Sequence, residues 1–241
     1  MNLVTLQTNY TKDLEQNLNY LENLINSCEN DSLILAPELA LSGYSYDNIH
    51  KVAEFSKKAI KKLKKLSKNK AIALTLTIFK DGNYYNRFYM FYQKQIIHTQ
   101  DKYRLFKLGN EQKYFSKPKN DKKIKFFKIG QLKVATLICF ELRFTKYWNR
   151  LKGADIILVP AMWGKGRKEH FETLVKALAI SNQCFVIASN SADDNCCKSS
   201  SIINPFGEVI LDDSKELLQV VFDKKQIRKI RKFLDVGIDY E

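Results

Sequence analysis

The chain has 241 residues, a formal net charge of +14, 45% hydrophobic residues and 12% aromatic residues. That composition suffices for a packed core burying about 70–75% of the unfolded surface, and it excludes a disordered polypeptide. No apolar run reaches membrane-spanning length, and the opening MNLVTLQTNYTKD lacks the basic and then apolar order of a signal peptide.

Strand-like and helix-like segments alternate along the chain. Residues 3–8 read as a strand, and Leu14, Leu18, Leu21, Ile25 and Cys28 then mark one face of a helix beginning near Thr11, its expected cap. A short apolar strand, 33–36, ends in Pro37-Glu38. The lysine-rich segment 57–70 carries Ala59, Leu63 and Leu66 in helical register with Val52 and Phe55, so one face is apolar and the lysines take the other. A meander follows: 71–79, the Asp81-Gly82-Asn83 turn, 84–92, and a third strand leading to Asp101-Lys102. Residues 107–123 are polar, a loop or short helix. Residues 126–129, the Gly130-Gln131 turn and 132–139 form a hairpin, with 134–139 a buried strand. Strand 154–161, a helix with Phe171, Leu174 and Leu178 inward, strand 184–189, a hairpin turning at Pro205-Phe206-Gly207, a strand at 216–223 and a basic C-terminal helix complete the order.

Continuous apolar strands alternating with amphipathic helices define an α/β protein, and the antiparallel hairpins require mixed sheets. With no repeat or linker, residues 1–241 form one domain. The five cysteines are odd in number, include no C-x-x-C pair, and place two side by side at 196 and 197, which points to a reduced, cytoplasmic protein. Three histidines without ligand spacing give no metal site. The positive charge is mostly lysine on a solvated helix face, so neither nucleic acid nor a membrane is an expected partner.

Three polar residues stand where buried strands stop: Glu38, Lys102 and Cys139. Strand carboxyl ends gather at one rim in α/β folds, where active sites form. A lysine cation beside a cysteine favours its thiolate, a carboxylate accepts its proton, and the same lysine stabilises an oxyanion. Taken singly, each residue has a structural explanation: an inert buried thiol, a cap, a surface lysine.

Together the blocks PELALSGY (37–44), DKYRLF (101–106) and ICFELRF (138–144) resemble, in order, the three signatures of the nitrilase superfamily, the carbon–nitrogen hydrolases. The likeness continues through GNEQKYF (109–115), ADIILVPAMW (154–163) and IINPFGEV (202–209). It implies a four-layer α-β-β-α sandwich of two mixed sheets. It also implies a triad of Glu38 as general base, Lys102 as oxyanion stabiliser and Cys139 as nucleophile, with no cofactor. Glu111 is then either a second glutamate positioning substrate or a surface acid. Two departures stand out. Phe140-Glu141 replaces the usual Tyr-Asp, and 178–182 lack the Arg and Glu of the usual Arg-Ala-x-Glu-Asn. The resemblance further implies a homodimer or higher homo-oligomer.

The implied reaction is hydrolysis of a small amide through a thioester. Arg143 matches the arginine associated with the distal carboxylate in the ω-amidase branch; its alternative is a structural ion pair with Glu141 or another acid. Phe140, Met162 and Trp163 are the expected pocket walls. The expected substrate is thus a small carboxylate-bearing amide. The competing expectations are N-carbamoyl hydrolysis, a deaminated-glutathione type of amidase, and a non-catalytic protein binding an acidic partner.

Overall fold

The structure is a computed structural model, described here for residues 1–238. Twelve strands form two six-stranded mixed sheets. The first holds β1 (Asn2–Leu6), β2 (Ser32–Leu35), β3 (Ala71–Lys80), β4 (Asn83–Tyr92), β5 (Gln95–Asp101) and the late strand β12 (Leu217–Val221), in the order β12-β1-β2-β3-β4-β5. β1, β2 and β3 run parallel, with antiparallel strands on both flanks. The second sheet has the same plan. β7 (Leu132–Thr136), β8 (Ile156–Pro160) and β9 (Phe185–Ser189) are parallel. β6 (Phe127–Ile129) flanks them on one side, β10 (Ser201–Ile203) and β11 (Val209–Leu211) on the other.

Side-chain alternation explains the layering. Leu3, Leu33, Leu35, Ala73, Phe88 and Met90 point from the first sheet into a core shared with the second. Their neighbours Val4, Ile34, Ile72, Leu74 and Phe91 point the other way, into a separate core. That outer core is covered by α1 (Leu14–Ser27), through Leu18, Leu21 and Ile25, and by α2 (Ile49–Leu66), through Ala59 and Leu63. On the far side α5 (Lys168–Asn182) packs Phe171, Val175 and Leu178 against the second sheet. The short α3 (Glu111–Tyr114) and α4 (Thr145–Arg150) lie in loops, and α6 (Lys224–Phe233) follows β12 and packs through Ile227. The four-layer α-β-β-α sandwich is the architecture that the resemblance implied.

Polar stitches hold the two sheets in register. Thr5 donates to the Ala188 carbonyl at 2.7 Å, Ser189 to the Leu6 carbonyl at 2.6 Å, and the Glu38 amide to the Ala161 carbonyl at 3.2 Å. The last of these joins the carboxyl end of β2 to that of β8, so the two catalytic-type rims meet.

Two local readings are corrected. Asp13, not Thr11, caps α1: its carboxylate accepts the amides of Glu15 and Gln16 at 2.9 and 3.1 Å. Thr11 instead receives the Asp13 amide at 3.1 Å, one step before the helix. The strand expected over 134–139 stops at Thr136, because the Ile138 amide leaves the ladder for the Glu141 carboxylate. Leu137 and Ile138 are fully buried all the same, which is why they read as strand.

Candidate active site

Each of the four expected polar residues arrives from a different loop at the same rim. Glu38 follows β2, Lys102 follows β5, Glu111 opens α3, and Cys139 begins a 3₁₀ turn over Cys139–Arg143. Glu38, Lys102 and Glu111 are 0%, 1% and 2% exposed, and Cys139 is 6% exposed. The Lys102 ammonium donates to Glu38 Oε1 at 2.8 Å and to Glu111 Oε1 at 2.7 Å. Its third donor meets the Tyr44 hydroxyl at 3.1 Å. Tyr44 in turn donates to Glu111 Oε1 at 2.7 Å, and Asn86 donates to Glu38 Oε1 at 2.8 Å. Glu111 is thus a buried member of the cluster, not a surface acid. The second oxygens of Glu38 and Glu111 are buried without a partner, so each keeps a free acceptor.

Backbone conformation marks the same place. Leu39 and Cys139 have φ of 49° and 51°, in the left-handed region that costs non-glycine residues about 1–3 kcal/mol. Leu39 is held there by its amide donating to Thr75 Oγ1 at 2.7 Å. Gly43 makes the loop between Glu38 and Tyr44 possible: its φ is 56°, and a Cβ there would sit 2.2 Å from the Tyr10 ring. Glu141 braces the nucleophile turn. Its Oε1 accepts the Tyr103 amide at 2.7 Å, and its Oε2 accepts the Ile138 amide at 2.9 Å and Gln100 at 3.3 Å. One side chain therefore ties the residue after Lys102 to the residue before Cys139.

The neighbouring charges act on the thiol in opposite directions. Burial pushes the Cys139 thiol well above the ordinary cysteine range and Glu38 pushes it further, while Lys102 opposes both. Glu38 keeps one buried oxygen without a partner, a free acceptor in the same cluster. For Lys102, burial lowers the pKa, but Glu38 and Glu111 outweigh burial and hold it well above the lysine range. It is a permanent cation, suited to an oxyanion and unsuited to proton transfer.

The thiol lines a narrow throat with room for about 20 Å³, walled by Phe106, Phe140, Met162, Trp163, Arg143 and Arg167. A larger vestibule of about 810 Å³ shares Phe106, Phe140, Arg143 and Arg167 with it. All four residues expected to line the substrate site, Phe140, Met162, Trp163 and Arg143, are in the throat wall. The ion pair considered for Arg143 is not formed, since backbone amides and Gln100 occupy Glu141. Arg143 instead lies over Trp163, 4.6 Å from the ring centre, and donates to His170 Nδ1 at 3.0 Å. Sequence reasoning missed Tyr44, Asn86, Glu141 and Arg167. Tyr44 and Glu141 lie inside recognised blocks, whereas Asn86 and Arg167 carry no local signal.

Comparison with known proteins identifies the class. The sequence model of the carbon–nitrogen hydrolase family matches residues 3–232. A 2-oxoglutaramate amidase of Bacillus subtilis (strain 168) is 31% identical over 222 residues, covering 87% of this chain and 84% of its own. The omega-amidase YafV of Escherichia coli (strain K12) is 27% identical over 200 residues, covering 80% and 77%. In fold, a carbon–nitrogen hydrolase from Helicobacter pylori G27 superposes with a TM-score of 0.85 at 19% identity, covering 97% of this chain and 92% of that one. A superfamily protein from Xanthomonas campestris gives 0.84 at 20% identity, covering 100% and 98%. The chain belongs to the carbon–nitrogen hydrolase family, and its enzymatic class is hydrolysis of carbon–nitrogen bonds.

Proposed function

We propose that this chain is an ω-amidase-like enzyme that releases ammonia from a small amide bearing a distal carboxylate, with 2-oxoglutaramate and succinamate as model substrates. Glu38 takes the Cys139 proton as sulfur attacks the amide carbonyl carbon. Lys102 and a backbone N–H stabilise the tetrahedral oxyanion. Glu38 returns the proton to the departing nitrogen, the C–N bond breaks, and ammonia leaves a Cys139 thioester. Water deprotonated by Glu38 then attacks the thioester, giving the carboxylic acid and restoring the thiol. Glu111 orients the amide nitrogen with its free oxygen, and Arg143 receives the distal carboxylate.

The observation that carries this reading is the buried Glu38–Lys102–Glu111 cluster, at 2.8 and 2.7 Å, beside a thiol at the foot of an arginine-rimmed throat. The substrate choice draws support from Arg143, whose guanidinium is supported by Trp163 and not neutralised by Glu141. It draws support as well from the relatives named for 2-oxoglutaramate and ω-amide hydrolysis. The reading includes one catalytic domain, a reduced cytoplasmic setting suited to five free thiols, and a homodimer. The exposed apolar residues Ile180, Phe206, Val209 and Ile210 support self-association, and sedimentation tests it: a monomer would remove the homodimer from the reading. None of the described helices is long and apolar enough to cross a membrane.

The test is ammonia release from a panel of succinamate, 2-oxoglutaramate, butyramide and N-carbamoyl-β-alanine, with Cys139→Ala as control. Carboxylate-bearing amides should lead by at least about tenfold in kcat/KM, the effect of one charge-assisted hydrogen bond. Turnover that survives in Cys139→Ala, or a lead for butyramide, overturns the assignment.

A further inference from the structure

Arg143 does not stand alone at the throat. Arg167, on the turn that enters α5, lines the same narrow passage and the same vestibule. Its guanidinium lies over Phe106, 5.1 Å from the ring centre, as that of Arg143 lies over Trp163. Stacking occupies the face of a guanidinium and leaves its in-plane N–H donors open. Arg143 gives one of them to His170 at 3.0 Å and keeps the others. Neither arginine has an acidic partner among the described residues. The two feel each other: Arg143 is shifted below the usual arginine range by burial and then by Arg167. The vestibule lining adds Arg104, Lys107 and Lys117 and contains no aspartate or glutamate. Two like charges held on aromatic supports, with no counter-ion from the protein, form a site completed by an anion.

We propose that Arg167 is a specificity-determining residue, the second half of a two-arginine clamp that grips the substrate carboxylate jointly with Arg143. A planar carboxylate has two oxygens and accepts in-plane donors from both sides, which matches two guanidiniums flanking one passage. Arg143, Arg167 and the Cys139 thiol line the same small cavity, so the clamp and the nucleophile face one substrate. The clamp therefore selects small monoamides whose far end is a carboxylate. This deepens the ω-amide reading and rests on it.

The experiment compares kcat/KM for succinamate and for butyramide, a neutral amide of similar length, in the parent, Arg143→Met, Arg167→Met and Arg167→Lys. In Arg167→Met the succinamate-to-butyramide ratio should fall about tenfold to a hundredfold, the loss expected for one charge-assisted pair, and chiefly through KM for succinamate. Arg167→Lys should recover part of that loss. A second measurement needs no turnover: succinate should protect Cys139 from iodoacetamide in the parent, and Arg167→Met should need correspondingly more succinate. If Arg143→Met loses the preference while Arg167→Met keeps both preference and protection, the clamp is refuted and the ω-amide reading stands. If the parent has no preference for succinamate, that reading falls and takes the clamp with it. Equal losses on both amides in Arg167→Met, with protection intact, would mean a structural role and also refute the clamp.

Discussion

Two charged regions adjoin the cavity that Cys139 lines, an inner one packed behind the thiol and an outer one on the cavity wall, and they are built on opposite principles. At the inner end Glu38, Lys102 and Glu111 are almost wholly removed from water, and each is paired at hydrogen-bond distance. A buried charge survives only when it is partnered in this way. At the outer end Arg143 and Arg167 rest on Trp163 and Phe106, rings that support a cation without cancelling it. On the proposed reading, a substrate that is neutral at one end and anionic at the other would place its carboxylate with the arginines and its amide at Cys139.

The strongest way to break this contrast is to remove the inner cation. Lys102→Met takes away the proposed oxyanion donor, and such donors contribute about 2.7–4 kcal/mol to the transition state, so kcat should fall about a hundredfold to a thousandfold. The same change strands two buried carboxylates and should cost about 3–5 kcal/mol of stability. Adding Glu111→Gln removes one stranded charge and should restore much of the stability, measured by urea unfolding, without restoring turnover. Recovery of activity along with stability would show that Lys102 only holds the acids in place.

Between the two regions sits Glu141, which ties the Lys102 loop to the turn carrying Cys139 and Arg143. Burial raises its pKa to about 7, against the pull of the amide hydrogen bonds from Ile138 and Tyr103. A carboxyl whose pKa is raised by folding stabilises the fold fully below its unfolded pKa, and that contribution is lost as pH rises through the folded value. Between about pH 4.5 and 7.5 the parent should therefore lose about 3 kcal/mol from this group, a loss absent from Glu141→Gln. Urea titrations of both proteins across that window read the difference. Parallel slopes would show that Glu141 is ionised throughout.

Much of this was legible in the chain, for identifiable reasons. Continuous apolar strands showed the α/β class with mixed sheets, and the three ordered blocks singled out Glu38, Lys102 and Cys139, while Glu111 was left between a site residue and a surface acid. Asp13 and Thr11 are both competent caps two residues apart, and composition cannot choose between them. The early end of β7 was hidden because Leu137 and Ile138 are buried whether or not they belong to a strand. Asn86 reaches Glu38 across 48 positions, and Arg167 gains meaning only from the face of Phe106, so neither has a local signature. The upward shift at Cys139 comes first from burial and then from Glu38 acting against Lys102, which only the folded geometry shows.

The finest test concerns Tyr44, whose hydroxyl accepts from Lys102 and donates to Glu111. Tyr44→Phe keeps the ring, and so its packing against Tyr46 and Phe115. It deletes only the two hydrogen bonds. Lys102 then has two acceptors for three donors, and its ammonium is less firmly aimed at the site where an oxyanion would form. A hydrogen bond to a charged group is worth about 1.5–3 kcal/mol, so kcat should fall about tenfold to a hundredfold while KM for succinamate changes little if the arginines hold the carboxylate. A rise in KM with kcat intact would instead place Tyr44 in contact with the bound acyl chain, and the separation of an inner chemical end from an outer recognition end would no longer hold.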